Sequence, residues 1–400
     1  MTDLPVLRLK PKMDPRRIRF GYPWVYDNEL VLDRRSKAIA PGSLGVLEDA
    51  GREPLALVAA NPGSRIAGRV LDRAGVTELT DDWFTERLSR ALALRSRLYD
   101  APFYRLVHAE ADGFPGVIID RFGDTAVVQP NAAWAEVHLD QLTAALVAVT
   151  GVTNVLKSAG GRARSLEGLD DRDAVLAGAA PDATVPVPMN GATYMADLTG
   201  GQKTGLFYDQ RPNHAFAAGL AREARVLDVF SHVGGFALAA LAGGAASALA
   251  VDGSQPALDL ARDGAARSGL SDRFATRKGD AFDTLAALAE EGEAFDLVIC
   301  DPPAFAPSKK ALDAGLRAYE RVARLAAPLV APGGYLVLCS CSHAADLEKF
   351  RTACIRGIGR GLHQTGRSAQ LIQTGFAGPD HPIHPQLAES GYLKALTFRL

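Results

Sequence analysis

The chain has 400 residues, of which 48% are hydrophobic and 22% are charged, with a formal net charge of −2. Because this length exceeds what one compact core usually holds, two or three domains are expected. No apolar run reaches the roughly eighteen residues of a membrane span, and residues 1–12 lack the apolar core of a signal peptide. Four cysteines without regular spacing exclude a disulfide framework, and no cysteine or histidine pair has zinc-ligand spacing. We therefore expect a cytoplasmic globular protein without a bound metal.

The N-terminal part of the chain is predicted to form a small β-barrel. Short apolar segments separated by turn residues are typical of closely spaced strands. Such segments occur at residues 6–10, 43–49, 55–60 and 66–71. We assign residues 1–75 to this barrel.

A basic cluster and an aromatic turn lie together within this barrel. Six basic residues and one acidic residue occur between positions 8 and 19, and the aromatic turn follows at residues 21–26. Arginines can neutralise phosphates, and an aromatic ring can stack on an unpaired base. Neutralising the arginines is expected to flatten the salt dependence of RNA binding. The alternatives are a solvated basic face and core packing of the tryptophan. The candidate RNA contacts are Arg16, Arg17, Arg19 and Trp24.

Residues 76–188 are predicted to form a small α+β domain followed by a linker. Hydrophobic periodicity predicts helices over residues 81–99 and 134–149. The polar residues 158–178 and the proline-rich residues 181–188 are interpreted as the link to the next domain. The predicted strands are residues 104–108, 117–120, 125–129 and 154–157.

From residue 192 onward, predicted strands alternate with predicted helices. Repeated β-α units predict a Rossmann-like, doubly wound, mainly parallel sheet with an antiparallel edge near the C-terminus. We assign residues 189–400 to this domain, so the predicted fold class is α/β. The predicted strands are residues 225–230, 248–252, 275–278, 296–300, 334–339 and 392–400, and the predicted helices are residues 235–242, 255–268, 284–290 and 315–329.

Acidic residues and glycines at successive strand ends predict a nucleotide-like cofactor. Asp228 lies near the end of the first strand, and Gly234 and Gly235 open the next helix without a Gly-x-Gly-x-x-Gly or P-loop pattern. Asp252 ends the second strand, where a carboxylate can accept hydrogen bonds from ribose hydroxyls. Asp280 follows the third strand and is placed to read an adenine. This order resembles the class I S-adenosylmethionine-dependent methyltransferases, which implies S-adenosylmethionine as the cofactor.

Three further motifs make the resemblance more specific. They are residues 201–211 (Gly-Gln-Lys-Thr-Gly-Leu-Phe-Tyr-Asp-Gln-Arg), residues 301–305 (Asp-Pro-Pro-Ala-Phe) and residues 340–342 (Ser-Cys-Ser). Together they resemble the bacterial ribosomal large-subunit RNA cytosine-5 methyltransferase I family. The resemblance covers essentially the whole chain and implies an N-terminal PUA domain, a middle domain and a catalytic domain. It also implies 5-methylcytosine formation in large-subunit rRNA by a homodimer.

The resemblance also implies roles for individual residues. The RNA-contacting residues that it adds are Lys203, Arg211 and Phe305. The chain departs from the family where His232-Val233 replaces the expected Tyr-Thr, and where Ala304 stands in place of a common lysine. These departures affect the identity of the target base more than they affect the class of reaction. The implied cofactor-binding residues are Thr204, Phe207, Asp209, Asp228, Phe230, Ser231, Gly234, Gly235, Asp252, Asp280, Ala281 and Asp301.

Methylation at cytosine C5 requires covalent assistance, because C5 alone is too weak a nucleophile. A thiolate that adds to C6 makes C5 enamine-like. We assign the nucleophile to Cys341, which follows an apolar strand and has serine neighbours, whereas Cys300, Cys339 and Cys354 are interpreted as buried hydrophobic residues. Asp301 is the candidate to hold and polarise the cytosine edge. The base must be flipped out of structured RNA to be reached.

The group that removes the C5 proton is left open. Many cytosine-5 RNA methyltransferases carry a second cysteine at the position of Ala304, so release here must use Asp301, a water or another group. His232 is interpreted as a turn residue rather than a base. His343 is interpreted as a surface histidine rather than a group that activates the neighbouring thiol.

Two other functions remain open at the level of the sequence. The first is methylation of an exocyclic amino group of adenine or guanine through the Asp-Pro-Pro segment, which needs no thiol. The second is a non-catalytic RNA-binding ribosome-assembly factor with a vestigial cofactor fold. Activity that survives loss of Cys341 would favour the first, and absence of S-adenosylmethionine binding would favour the second.

Overall fold

The computed structural model describes residues 4–200 and 205–400. Contacts between residues divide the chain into two compact units. The predicted boundary near residue 75 lies inside the first unit, and the three-domain division stays a prediction. Within the described residues, no helix is both long and apolar enough to cross a membrane. The described part of the first unit consists of residues 4–182, 198–200 and 379–390, and that of the second consists of residues 183–197, 205–378 and 391–400.

The first unit begins with a five-stranded sheet. Its strands are β1 (Val6–Arg8), β2 (Trp24–Tyr26), β3 (Ser43–Glu48), β4 (Pro54–Ala60) and β5 (Ile66–Arg73). They are ordered β1-β3-β4-β5-β2, with β1 and β3 parallel and the other neighbours antiparallel. Two short helices, α1 (Arg16–Arg19) and α2 (Arg34–Lys37), lie in the connections. The strands predicted here are present, and the aromatic turn contains the additional strand β2.

A second five-stranded sheet with its helices completes most of this unit. The sheet order is β10-β9-β8-β7-β6, and its apolar face packs against α3 and α5 around Phe84, Leu106 and Trp134. The elements, in chain order, are α3 (Asp81–Leu98), β6 (Phe103–His108), β7 (Val117–Phe122), β8 (Thr125–Pro130), α4 (Ala133–Val137), α5 (Leu139–Thr150), β9 (Asn154–Lys157), α6 (Arg162–Glu167) and β10 (Ala174–Ala177).

Two sequence predictions for this region were wrong. The single helix expected over residues 134–149 is two helices, because His138 leaves helical geometry at φ −105° and ψ 22°. The expected linker over residues 158–188 contains α6, β10 and the strand β11 (Val185–Met189). Pro186 and Pro188 are compatible with β11 because this strand pairs on one side only and both prolines are exposed.

Residues 379–390 pack within the first unit rather than with the C-terminal strands that flank them in sequence. Arg95, which is fully buried, donates to both carboxylate oxygens of Asp112 and to the Asp380 carbonyl oxygen at 2.7 Å. The Asp380 side chain accepts from the Arg105 backbone N–H at 3.0 Å and from the Tyr99 hydroxyl at 3.2 Å. Because buried charges are stable only when they are paired, this network holds the segment in place.

The second unit contains the predicted doubly wound sheet. Its seven strands are ordered β15-β14-β13-β16-β17-β19-β18, and the first five are parallel. Strand β19 is antiparallel to both of its neighbours, which confirms the predicted antiparallel edge. The strands are β12 (Ala192–Ala196), which pairs with β11, and β13 (Arg225–Val229), β14 (Ser247–Asp252), β15 (Phe274–Lys278), β16 (Phe295–Cys300), β17 (Val330–Ser340), β18 (Gln370–Gly375) and β19 (Lys394–Arg399).

Six helices of this unit accompany the sheet. Helices α7 and α12 and strands β12 and β18 were not predicted, and α12 is missed because Gly357, Gly359 and Gly361 lower its intrinsic helix propensity. Two of these glycines are needed where α12 crosses α11, since Gly357 and Gly361 lie directly against the backbone of Glu320 and Arg324. The helices are α7 (Arg211–Leu220), α8 (Gly235–Ala242), α9 (Gln255–Arg267), α10 (Ala281–Glu290), α11 (Leu312–Ala326) and α12 (Leu347–Leu362).

The strand order reverses between β13 and β16. In chain order the sheet first grows outward through β14 and β15, and then returns to place β16 on the other side of β13. Ligands of open α/β sheets bind at the carboxyl ends of the strands beside such a reversal. The fold therefore places the candidate site at the carboxyl ends of β13, β14, β16 and β17.

The glycines of α12 provide a test of the packing between α11 and α12. In Gly357→Ala, the new methyl group would meet the Glu320 carbonyl oxygen and would lie 2.6 Å from the Ala323 Cβ. We expect a loss of about 1–3 kcal/mol in the free energy of unfolding, measured in urea. The control is Gly359→Ala in the same helix, where no atom lies within 4 Å of the new group. It should stabilise the protein by about 0.5–1 kcal/mol. Equal effects of the two variants would contradict this packing.

Candidate active site

Asp228 is a buried carboxylate at the point where the strand order reverses. Its Oδ2 atom accepts a hydrogen bond of 2.9 Å from the Ala237 N–H in the first turn of α8. Its Oδ1 atom is buried and has no hydrogen-bond partner among residues 4–200 and 205–400. Burial raises the pKa of Asp228 to about 7, and the negative charge of Asp252 acts in the same direction. An unsatisfied buried oxygen of this kind requires a donor from outside the described residues, which a ligand could supply.

The turn that follows β13 has an unusual backbone conformation. Phe230 and His232 have positive φ values of 63° and 49°, and Gly234 has a φ of 79°. The Ser231 hydroxyl is buried and, like Asp228 Oδ1, has no partner within the described chain. Positive φ in bulky residues is costly and is concentrated at ligand-binding turns. The conformation therefore marks this turn as a candidate binding loop.

Gly235 is required by packing beneath this turn. A Cβ atom at Gly235 would lie 2.7 Å from the His214 ring, which is buried under the helix. Burial lowers the pKa of His214 to about 3, so the ring is neutral and acts as a packing group. The bare backbone of α8 therefore begins directly at the turn, where the N-terminal end of the helix can receive an anionic or polar ligand.

The acidic residues of the next two strand ends lie where the sequence predicted them. Asp252 accepts from the His232 N–H at 2.9 Å and from the Ser254 N–H at 2.8 Å, which orients its carboxylate at the end of β14. Asp280 is the N-cap of α10, and its Oδ1 atom accepts from the Phe282 and Asp283 N–H groups. Ionised carboxylate oxygens retain further lone pairs, so each can accept from a ligand hydroxyl or amine.

Phe305 belongs to an aromatic group beside this edge of the sheet. Its ring stacks with Phe282 at a centroid distance of 6.2 Å and packs edge-on against Phe230, also at 6.2 Å. The Tyr319 ring lies 5.0 Å from Phe305. The Arg321 guanidinium lies 4.4 Å from the Phe282 ring centroid. Phe305 thus contacts residues next to the predicted cofactor positions, and its assignment to RNA stays a prediction.

The structure brings Asp301 and Cys341 to adjacent strand ends. Asp301 directly follows β16, and its N–H donates to the Val229 carbonyl oxygen at 3.2 Å. Strand β16 pairs in parallel with β17, after which Cys341 is the first residue. Cys341 is partly exposed, whereas the other three thiols are buried. Burial raises the pKa of those three thiols far above their usual value, which keeps them protonated.

A buried hydroxyl network joins the two loops that carry Asp301 and Cys341. The Tyr319 hydroxyl contacts the Ser342 hydroxyl at 2.7 Å and accepts from the Ser340 hydroxyl at 2.9 Å. The Ser342 hydroxyl also accepts from the Ala306 N–H at 3.0 Å. Because each loop is bonded to the other through these groups, the positions of the carboxylate and the thiol are set together.

Lys394 is a buried cation beside Cys341. It lies in β19 opposite Ser340, and its ammonium donates to the carbonyl oxygens of Ser342 at 2.8 Å and Ala345 at 2.7 Å. Burial lowers the pKa of Lys394, while the charges of Cys341 and Asp346 oppose that effect. A cation held in this position favours the thiolate form of a neighbouring cysteine.

The motif of residues 201–211 is described only in part. Thr204 and Lys203 lie outside the described residues. The Phe207 ring packs edge-on against His232 at 5.1 Å, next to the turn after β13. Asp209 accepts a hydrogen bond of 2.6 Å from the Tyr392 hydroxyl, and the Arg211 guanidinium lies 5.4 Å from the Tyr208 ring centroid.

The N-terminal candidates lie in the first unit, and their arginines are paired with carboxylates. Arg17 pairs with Glu29 at 2.9 Å and stacks on the Tyr22 ring at 3.8 Å. The half-buried Trp24 donates to Glu110 at 2.8 Å. The remaining pairs are Arg16 with Asp14 at 3.9 Å and Arg19 with Asp49 at 3.4 Å. Contact of these residues with RNA stays a prediction.

Sequence reasoning missed Tyr319 and Lys394. Tyr319 occupies an ordinary apolar position of the amphipathic helix α11, so no local pattern distinguishes it. Lys394 gives a signal that could have been used, because it interrupts an apolar strand and has apolar neighbours on both sides. Lysines are rarely buried without a specific partner.

Comparisons with known proteins identify the class to which this chain belongs. A model of the S-adenosylmethionine-dependent methyltransferase family matches residues 129–371, and a PUA-like domain model matches residues 7–73. The chain is 34% identical to the ribosomal RNA large subunit methyltransferase I of Alteromonas mediterranea, over 97% of each protein. It is 35% identical to a ribosomal RNA large subunit methyltransferase of Deinococcus radiodurans, over 100% of this chain and 98% of that protein.

A solved structure shows the same fold at low sequence identity. It is a chain from Streptococcus mutans assigned to the SAM-dependent methyltransferases, with a TM-score of 0.81 at 18% identity. The superposition covers 99% of this chain and 100% of that one. The predicted Rossmann-like domain and the PUA-like barrel are both confirmed.

The fold and the strand-end site define an S-adenosylmethionine-dependent methyltransferase. The residues at the site fit that cofactor, because two buried oxygens require donors and a bare glycine turn admits a ligand against α8. Within this class, the chain belongs to the ribosomal RNA large subunit methyltransferase I family.

The raised pKa of Asp228 predicts a pH dependence of cofactor binding. Between pH 3.8, the usual pKa of an aspartate, and about pH 7, Asp228 is protonated in the folded protein and ionised in the unfolded chain. The contribution of this carboxyl to the free energy of unfolding therefore decreases as the pH rises through that range. S-adenosylmethionine is positively charged and favours the ionised carboxylate. We therefore expect its affinity, measured by titration calorimetry, to increase between about pH 6 and pH 8. The increase should be absent in Asp228→Asn, and its persistence there would assign it to another group.

Proposed function

We propose that this protein transfers a methyl group from S-adenosylmethionine to C5 of a cytosine in large-subunit rRNA, through a covalent bond between Cys341 and C6. The observation that carries the proposal is the pairing of a partly exposed thiol with a carboxylate at adjacent strand ends of the site. The names of relatives that are 34% and 35% identical over nearly the full length support large-subunit rRNA as the substrate.

The cofactor positions follow from the first three strand ends. Asp228, Ser231 and the Gly234–Gly235 backbone would hold the polar end of S-adenosylmethionine, since Asp228 and Ser231 present unsatisfied oxygens and the glycines leave the backbone bare. The remaining residues assigned to the cofactor are Thr204, Phe207, Asp209, Phe230, Asp252, Asp280, Ala281 and Asp301. When bound, the cofactor supplies an electrophilic methyl group.

The thiolate makes C5 reactive by adding to the base. The Cys341 sulfur forms a bond to C6, and the electron pair of the C5–C6 double bond becomes available at C5. After C5 carries the methyl group, a base removes the C5 proton. That electron pair restores the C5–C6 double bond as the sulfur–C6 bond breaks, which frees the thiolate. Splitting the reaction in this way avoids direct attack by an aromatic carbon.

Asp301 supports this addition by binding the cytosine edge. Adding a sulfur at C6 increases the electron density of the ring, and a carboxyl group hydrogen-bonded at N3 or the amino group would stabilise it. Ala304 carries no thiol, so Asp301 or a water would accept the C5 proton at the end. Tyr319 and Ser342 act as positioning residues, because they bond the two loops to each other.

Lys394 favours the reactive form of the thiol. An ammonium has three N–H donors, and two of them bind the carbonyl oxygens of Ser342 and Ala345. The remaining positive field acts on Cys341, whose negative charge raises the pKa of Lys394 in return. The ammonium therefore increases the fraction of thiolate near neutral pH.

The covalent mechanism is tested by removing the thiol. With labelled S-adenosylmethionine and protein-free large-subunit rRNA, the wild-type protein should produce 5-methylcytosine, identified by nucleoside analysis. Cys341→Ala should lower the rate by at least about a thousandfold, since loss of a covalent nucleophile removes several kcal/mol of catalysis. The control is Cys354→Ala, which removes a buried thiol in α12 and should retain activity.

The other outcomes of this experiment identify the alternatives. A methylated purine, or full activity of Cys341→Ala, would replace the proposal with exocyclic amino methylation. RNA containing 5-fluorocytosine adds a direct test, because fluorine at C5 blocks proton removal and traps the adduct. A stable protein–RNA complex should form with the wild-type protein and not with Cys341→Ala.

The role of Lys394 is tested by the pH dependence of adduct formation on 5-fluorocytosine RNA. Lys394→Gln should shift the midpoint of the rate profile upward by about one pH unit or more, because a nearby positive charge is lost. The rate would then fall about tenfold near neutral pH and recover at higher pH. Lys394→Arg keeps the charge and should retain the wild-type midpoint. A uniform loss of rate at every pH would show that Lys394 has only a structural role.

A further inference from the structure

The helical layer that follows the two active-site loops is strongly basic. Residues 309–362 contain nine lysines and arginines against four acidic residues, whereas the whole chain has 44 basic and 46 acidic residues. This segment starts four residues after Phe305 and includes both α11 and α12. Although the net charge of the chain is −2, this basic segment is directly connected in sequence to the loops of the candidate active site.

The basic side chains of α11 share one exposed face. Arg317, Arg321 and Arg324 are spaced by four and three residues, which places them in a row of about 10 Å along the helix. All three are exposed, while Tyr319 and Val322 are buried on the opposite face. Long side chains of a helix lean toward its N-terminus. Here that is the end connected to the Asp301 loop.

We use the name α11 face for Lys309, Lys310, Arg317, Arg321 and Arg324. Among the described residues, no carboxylate forms an ion pair with any of these five side chains, in contrast to the nearby Arg360, which pairs with Glu320. The groove between α11 and α12, of about 470 Å³, is lined by Arg317 and by acidic residues, including Asp313 and Glu348. Lys309, Lys310, Arg321 and Arg324 do not line this groove, so the α11 face extends beyond it onto the outer surface of the helix.

The three N-terminal arginines predicted to contact RNA differ from the α11 face in this respect. Arg16, Arg17 and Arg19 each lie within 4 Å of a carboxylate, so their charges are compensated inside the protein. A paired arginine must give up its carboxylate before it can neutralise a phosphate. An unpaired cation can bind a phosphate at once and release the counterions of the nucleic acid.

We propose that the α11 face binds the phosphate backbone of the RNA substrate next to the target cytosine. This inference rests on the proposed function, because it takes RNA as the substrate of the neighbouring site. Contacts to phosphates fix the position and orientation of a nucleic acid without reading its sequence. The α11 face would therefore present the strand to the loops that carry Asp301 and Cys341.

The experiment compares two charge-removing variants of the full chain. One is the triple variant Lys310→Gln, Arg317→Gln, Arg324→Gln. The other is Arg16→Gln, Arg17→Gln, Arg19→Gln, which removes the same charge from paired arginines. Arg321 is left unchanged because it contacts Phe282. Binding to protein-free large-subunit rRNA is measured over a range of roughly 50 to 200 mM salt. S-adenosylmethionine affinity is measured in parallel as a control for folding.

The α11 variant should reduce the slope of log K against log salt by about two, since each lost contact to single-stranded RNA removes about 0.7. Its S-adenosylmethionine affinity should match the wild type, and the N-terminal variant should change the slope less. The inference is overturned if the wild type binds RNA and the α11 variant shows the wild-type slope of log K against log salt. It is also overturned if only the N-terminal variant shows a reduced slope. Absence of both RNA binding and methyl transfer in the wild type would instead remove the proposed function, and the inference with it.

Discussion

The parallel pairing of β13 with β16 and of β16 with β17 is the constraint on which the candidate site depends. In this register Val229 lies opposite Cys300, and Cys300 lies opposite Leu338, so the three strands end at one edge of the sheet. Loops that are far apart in sequence therefore meet, and the bonds among Ser340, Tyr319 and Ser342 hold two of them together. Without this shared edge, the carboxylates and the thiol would be unrelated surface groups.

Desolvation distinguishes the groups at this edge from chemically identical groups nearby. Three of the four cysteines are buried and remain protonated, whereas Cys341 is partly exposed and lies beside the buried ammonium of Lys394. Burial acts in the same direction on Asp228, where it raises the pKa to about 7 and makes the carboxyl responsive to a charged ligand. Desolvation thus keeps the three buried thiols unreactive and adjusts the pKa of Asp228 for ligand binding.

Pairing similarly determines which surface charges are available to a partner. The N-terminal cluster has the higher density of positive charge in sequence, but three of its arginines are paired with Asp14, Glu29 and Asp49. The α11 face is less obvious in sequence, because its cations are spread over sixteen positions and helix α11 is needed to bring its three arginines into a row. Charge counts along a chain are consequently a weak guide to nucleic-acid surfaces unless the ion pairs are known.

The sequence by itself determined the class of fold, most of the strands and helices in the second unit, and the strand-end positions of Asp228, Asp252, Asp301 and Cys341. These features follow from local periodicity and from motifs whose spacing is set within one β-α unit. Tertiary structure decided the rest. Helix α12 contains glycines that are needed for its close packing against α11. Residues 379–390 are held in place by the buried charge of Arg95. The ammonium beside Cys341 belongs to Lys394, in a strand more than fifty residues later in the chain. Such contacts join distant segments, and no local pattern encodes them.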